Sequence, residues 1–171
     1  MKTTLALRPI EKTDLETIQF WRNNKSVLPF VREYRLMSKS HVESWYSNMI
    51  LSDKHEMFII QDDGHPVGIC GLTYINWQNR HADLHFAIYD EFSWIDDVYA
   101  PRSYEMISEY AFQYLNLNKI YVEIYENDEK KLNFFKECRF TEDARLRQHY
   151  YNNGKYHDSI IMSLLKSEWS E

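Results

Sequence analysis

Residues 81 to 89 read H-A-D-L-H-F-A-I-Y, and three of the first five side chains can carry a proton. Strict alternation over this length predicts a β-strand. It sends Ala82, Leu84, Phe86 and Ile88 to one face and His81, Asp83, His85 and Tyr89 to the other. A carboxylate between two imidazoles on one face suits proton abstraction, because an unperturbed imidazole titrates near neutrality and an ionised carboxylate accepts a proton directly. A metal centre does not follow. His81 and His85 lie four residues apart, roughly 13 Å along a strand, which is too far for both to reach one ion. Cys70 and Cys138 form no C-x-x-C pair, so no thiolate zinc site or disulfide framework is suggested, and Cys138 reads as a small buried hydrophobe. No metal is expected.

A second stretch with chemical content is S-W-I-D-D-V-Y-A-P-R-S-Y-E-M, residues 93 to 106. It stands like a phosphate-binding loop, just ahead of a helix that opens at Pro101, yet it holds two aspartates and no glycine. Asp96 or Asp97 would repel a phosphate by about 1 kcal/mol per pair at 4 Å in water, and by more when desolvated. Either can instead interact with the helix N-terminus, and Arg102 can offset the charge if its guanidinium reaches the anion. A third group, Tyr74, Asn76 and Trp77, closes a predicted strand, where a ring and hydrogen-bonding groups can meet a ligand.

The elements that position these groups follow from pattern. Thr3 to Leu7 alternates weakly as a strand, and Thr13-Asp14 precedes a helix carrying Leu15, Ile18, Phe20 and Trp21. Ser38 or Ser40 can cap a second helix with Val42, Trp45, Tyr46 and Met49 at helical spacing, Trp21 and Trp45 reading as core. Met57 to Gln61 and Val67 to Asn76 are strands joined by the D-D-G-H-P turn. After the strand at residues 81 to 89, Tyr104, Ile107, Tyr110, Ala111, Tyr114 and Leu115 describe an amphipathic helix. Lys119 to Tyr125 is a strand and Glu129 to Cys138 a helix, and two strands, one through R-L-R-Q-H-Y-Y, close the chain around Asn152-Asn153-Gly154. The order predicts an α/β fold with a mixed sheet.

Composition narrows the function. With 171 residues, 44% of them hydrophobic, the chain suits one domain over residues 1–171. Its net charge of −6 argues against a nucleic-acid partner, since such affinity comes largely from Lys and Arg on phosphates. No run approaches a membrane span, and the N-terminus has no signal-like apolar core, so a soluble protein of the reducing cytoplasm is expected. Thirteen Tyr and five Trp exceed the needs of the core and leave rings for pocket walls or an interface, such as that of a homodimer.

Several segments in order resemble one family: L-R-P-I-E-K-T-D-L, P-V-G-I-C-G-L, Y-A-F-Q-Y-L-N-L-N-K-I, E-N-D-E-K-K-L-N-F-F-K-E-C-R-F and Y-Y-N-N-G-K-Y-H-D-S-I-I-M-S-L-L-K-S-E-W. Together they cover nearly the whole chain and are similar to the GNAT superfamily of N-acetyltransferases, most of all to the branch of ribosomal-protein N-terminal and amino-sugar acetyltransferases. The resemblance implies a mixed central sheet of about seven strands flanked by about four helices. It implies acetyl-CoA as cofactor, bound across a splay between two central strands with its pyrophosphate on a glycine-rich turn, and transfer to a small-molecule amine or a peptide N-terminus.

Residue by residue, the resemblance puts Asp83 at the position of the family's general base, with His85 as the alternative. It puts Asp96, Val98 and Ala100 near the glycine positions, the backbone N–H groups of Val98, Tyr99, Ala100 and Arg102 around the pyrophosphate, and Tyr74, Asn76 and Trp77, with Trp21, Arg22 and Trp45, in segments that wall the acceptor pocket. The family's cofactor-contacting Asn falls on Asp128, or on Asn127 with a shift of one, and its proton-donating Tyr is Phe135 here, which keeps the ring but cannot donate. The Gly of its G-F pair is Arg139. These departures carry a second expectation, a GNAT-fold protein that has lost CoA binding and serves as a binding or assembly module.

Overall fold

The structure, a computed structural model, describes residues 4–31, 35–152 and 154–169. Seven strands form one mixed sheet in the order β1-β2-β3-β4-β5-β7-β6: β1 Leu5–Pro9, β2 Glu56–Asp62, β3 His65–Asn76, β4 His81–Ile88, β5 Lys119–Tyr125, β6 Thr141–Asn152 and β7 Lys155–Leu165. The helices are α1 Leu15–Arg22, α2 Lys39–Ile50, α3 Ala100–Glu109, α4 Glu129–Glu137 and a single turn, α5 Lys166–Trp169. The α/β class and the seven strands agree with the sequence reading. The fifth helix was not expected, because four residues are too few for a periodic signal.

Local chemistry accounts for the boundaries. The β2–β3 hairpin turns on Asp63 and Gly64, both with positive φ, 47° and 80°, the pair of left-handed residues a tight hairpin demands. Ser38 caps α2 by accepting the His41 N–H at 3.3 Å. Pro9 is tolerated inside β1 because β1 is an edge strand. Beyond α3 the helix widens into a π-helical turn over Tyr110–Tyr114, closed by the Leu115 N–H on the Tyr110 carbonyl at 3.0 Å. The turn expected at Asn152-Asn153-Gly154 is bracketed by the Asn152–Lys155 pair, and Asn153 lies outside the described residues.

Both faces of β4 are covered. Ala82, Leu84, Phe86 and Ile88 are buried, with Phe86 stacked 5.9 Å from Phe134 of α4. On the opposite face Tyr89 is buried against Trp21 of α1, ring centroids 4.8 Å apart, and Asp83 is only 5% exposed. The alternation in sequence therefore marks two buried faces of different polarity. The polar one faces a cavity.

Candidate functional site

Among the described residues the only parallel pairing in the sheet, β4 with β5, is short. His81, Ala82 and Asp83 face Lys119, Ile120 and Tyr121, and the registered pairing ends there. From Leu84 and Val122 onward the two strands run unpaired with each other. That divergence opens onto a cavity of about 590 Å³, whose lining includes Asp83, His85, Glu123, Asp128 and Lys131. Asp83, the last residue of β4 paired with β5, thus stands at the fork.

The structure brings together only some of the residues singled out from sequence. Asp83 and His85 both line the cavity, whereas His81 turns its ring toward Tyr121, 5.9 Å away. Of the acceptor candidates, Tyr74 lines it, with its ring edge-on to His55 at 5.6 Å. Trp77 instead donates its indole N–H to the Asp53 carbonyl at 2.8 Å, and Asn76 accepts the Asn79 N–H at 2.8 Å, so both serve the β3–β4 connection. The register break between Thr73 and Asn76 separates them from Tyr74. Trp45 is half-buried on the cavity wall, and Trp21 is core.

Asp128 rather than Asn127 reaches the cavity. Its buried carboxylate caps α4, accepting the Lys131 N–H at 3.1 Å, and also accepts the Trp94 indole N–H at 2.9 Å. Asn127 is exposed and receives the Tyr150 hydroxyl. Phe135 is fully buried among Phe134, Tyr104 and Phe140 and does not line the cavity. Burial pushes the Cys138 thiol up to about 12, so it stays a thiol.

The aspartate-rich loop has a definite geometry. One carboxylate oxygen of Asp96 accepts three backbone N–H groups, from Val98 at 3.2 Å, Tyr99 at 2.7 Å and Ala100 at 2.9 Å. Of the two aspartates that the sequence offers to the helix N-terminus, Asp96 is the one that reaches the first N–H of α3, at Ala100. Val98 is exposed and Ala100 buried. Arg102 turns away from the loop to Glu105, 2.7 Å from its carboxylate. Just upstream, Trp94 lies against the splayed edge of β4: its N–H donates to the Ile88 carbonyl and its carbonyl accepts the Ile88 N–H, both at 2.9 Å. The Lys131 ammonium sits 4.7 Å above the Trp94 ring and donates to the Phe86 carbonyl at 3.3 Å. Glu91, Phe92 and Trp94 all have positive φ, 48°, 53° and 65°. Such conformations cost about 1 to 2 kcal/mol each in a non-glycine residue, so the contacts of Trp94 must offset them.

Sequence reasoning missed Trp94, Lys131, Glu123 and Tyr89. Tyr89 lines the cavity, is 2% exposed, and turns its hydroxyl toward Arg22. Burial raises its pKa, opposed by the nearby Arg22 charge. The one signal for Tyr89 was its place on the polar side of the alternation.

A short parallel pair that parts at an acidic fork, beside a helix entered through a loop, is the frame of an acyl-transfer fold. The chain belongs to the GNAT family: residues 7–161 match the acetyltransferase (GNAT) domain. It is 28% identical over 170 residues to the spermidine N(1)-acetyltransferase of Vibrio cholerae, covering 99% of this chain and 97% of that protein. The spermidine N(1)-acetyltransferase of Escherichia coli K12 is 25% identical over 97% of this chain and 88% of its own length. Among solved structures, Vibrio cholerae spermidine N-acetyltransferase in complex with CoA and spermine superposes with a TM-score of 0.90 at 27% identity, over 98% of both chains. A dodecameric form of the Vibrio protein superposes at 0.84 with 27% identity, over 96% of this chain and 95% of that one. These full-length relatives correct the branch expected from sequence, which was that of ribosomal-protein and amino-sugar acetyltransferases.

The frame fits the family's cofactor. The N–H groups at the start of α3 suit a diphosphate, and the free edge of a splayed strand suits an amide-bearing arm. Here the first position holds the Asp96 carboxylate and the second holds Trp94.

Proposed function

We propose that this protein is an acetyl-CoA-dependent N-acetyltransferase for a small aliphatic amine of the polyamine kind. The observation that carries the reading is the cavity at the β4–β5 fork, with the carboxylates of Asp83, Glu123 and Asp128 in its wall. Carboxylates in a partly dehydrated wall attract an ammonium more strongly than they would in water. The relatives that match over nearly the full length are spermidine acetyltransferases, which supports the same substrate class.

The cofactor would supply an activated acetyl thioester. The backbone N–H groups of Val98, Tyr99 and Ala100, with the edge of β4 at Phe86 and Ile88, would hold it. Asp83 would take the proton that an ammonium must lose before its nitrogen can attack, and His85 is the alternative acceptor. Tyr74 and Trp45 would flank the alkyl chain. With Phe at position 135, no phenol stands there to donate a proton to the departing thiolate. An oligomer is consistent with the surplus of exposed aromatic rings.

A second reading, a GNAT-fold binding module that transfers nothing, is favoured by one observation, the Asp96 carboxylate on the N–H groups that lead into α3. Thiol release from acetyl-CoA with spermidine, spermine and a simple monoamine separates the two. Polyamine-dependent release is expected from the first reading, and Asp83→Asn should lower kcat by ~10²-fold or more with the CoA dissociation constant unchanged. No transfer to any amine at millimolar concentration would leave the module.

A further inference from the structure

We propose that the segment Ser93–Asp97 is an autoinhibitory strap, a resident occupant of the cofactor groove that an acyl-CoA must displace in order to bind. The proposal rests on the transferase reading above, and its test separates the two.

One short segment covers both positions that a cofactor of this kind needs. Trp94 makes a reciprocal pair of backbone hydrogen bonds with Ile88 at 2.9 Å, on the part of β4 that has lost β5 as a neighbour. An extended amide chain laid on that edge would compete for the same N–H and C=O. Two residues further on, a single Asp96 oxygen gathers the N–H groups of Val98, Tyr99 and Ala100. A phosphate oxygen drawn to the N-terminus of α3 would need those same donors, and it would meet the carboxylate as a like charge. The two occupancies are independent in chemistry, one a strand-edge pairing and the other an anion site, yet they belong to the same five residues.

The strap is fastened, though not welded in. Its anchors are the Trp94 indole N–H on Asp128 at 2.9 Å and the Lys131 ammonium above the ring. Against them stand the left-handed conformations of Glu91, Phe92 and Trp94, none of them a glycine. Strain gathered next to a binding groove favours a second arrangement once a ligand takes over the contacts. In that arrangement the Asp96 carboxylate goes to solvent and the phosphate takes its donors. The absence of glycine then has a function: the loop carries its own anion in place of open backbone.

The test is isothermal titration of the full chain with coenzyme A. Asp96→Ala removes the internal anion and should tighten binding about tenfold or more. Trp94→Phe keeps a ring and loses the indole N–H, and should tighten binding about three- to tenfold. An unchanged or weaker dissociation constant in Asp96→Ala, with native circular dichroism, overturns the proposal, as does the lack of saturable binding in both the wild type and this variant. Hydrogen exchange on the unaltered protein gives a check that needs no variant: saturating coenzyme A should speed exchange at the Trp94 amide, and slower exchange there overturns the strap. If Asp96→Ala gains affinity but acetylates no amine, the strap stands and the transferase reading falls. If the wild type acetylates spermidine and Asp96→Ala gains nothing, the reverse holds.

Discussion

Among the described residues α1, α3 and α4 are each entered through an aspartate, and those ahead of α1 and α3 are held in different ways. Ahead of α1, Asp14 receives both guanidinium nitrogens of Arg8 at 2.7 Å and the Glu11 N–H at 2.8 Å. Ahead of α3, Asp96 receives three N–H groups and, among the described residues, no cation. The first is a compensated ion pair, and the hydrogen bonds from Arg8 hold the Asp14 carboxyl below the usual carboxylate range. The second depends on backbone donors alone, which serve an outside anion equally well. One entrance is a fixed joint, and the other has the chemistry of an exchangeable contact.

The contrast can be broken or sharpened by substitution. The largest effect is expected at Asp128, which ties the strap to α4. Asp128→Ala strands the Trp94 indole and the Lys131 N–H, and should cost about 3 kcal/mol, since hydrogen bonds to a charged group contribute about 1.5 to 3 kcal/mol each. At this chain length that is a fall in Tm of about 6 to 12 °C, measurable by thermal circular dichroism. A fall below about 1 °C would mean that Trp94 is not anchored there.

Next in size is the fixed joint itself. Asp14→Asn keeps the shape and loses the charge, with an expected cost of about 2 kcal/mol near neutral pH. The sign with pH follows from the lowered carboxyl of the folded state. Its contribution is fully present above the unfolded value of about 3.9 and is lost as pH falls through the lower folded value. Arg8 stays charged throughout, so the gap between wild type and variant should narrow as the pH falls below the unfolded carboxyl value in urea titrations. A gap that is constant with pH would sink the ion-pair account.

Asp96→Ala should cost less in stability, about 1 kcal/mol, because the N–H groups it releases are exposed or part-buried, where water can take its place. A loss as large as that of Asp14→Asn would mean that the strap is a fixed joint as well.

The smallest effect should have the opposite sign. Glu91 is exposed with φ 48°, so Glu91→Gly removes the left-handed penalty and should stabilise the fold by about 1 kcal/mol. Gly64 is the control: its φ is 80° and no atom lies within 4 Å of where a Cβ would stand, so Gly64→Ala should destabilise by about 1 kcal/mol through the backbone alone. Loss of stability in both variants would show that no strain is stored at Glu91, just ahead of the strap.

How much was legible in the sequence depended on how local the cause was. The Asp63-Gly64 turn, a serine cap at Ser38 or Ser40 and the strand read over residues 81 to 89 needed only a few neighbouring residues; the structure selects Ser38 and ends the strand at Ile88. Gly68 of the P-V-G-I-C-G-L stretch also has a local look and a distant reason: a Cβ there would stand 2.6 Å from the Ala87 carbonyl of β4. Asp83 and His85 could be placed together because a strand fixes the face of every second residue. Trp77 and Asn76 could not be separated from Tyr74 by the same rule, because a register break interrupts it.

The sequence by itself determined the alternation of elements, the seven strands, a serine cap for α2, an aspartate at the entrance to α3, and the chemistry available on the polar face of β4. Each of those depends on periodicity, turn residues or side-chain type, which act within a few residues of one another. Only the tertiary structure decided that β4 and β5 part after Asp83, that Asp128 rather than Asn127 faces the cavity, and that Trp94 fills the edge left open. Trp94 and Asp128 stand 34 residues apart, and a hydrogen bond across that interval forms only after α4 has packed against β4. No local pattern encodes it, because its energy comes from two groups that meet only in the folded chain.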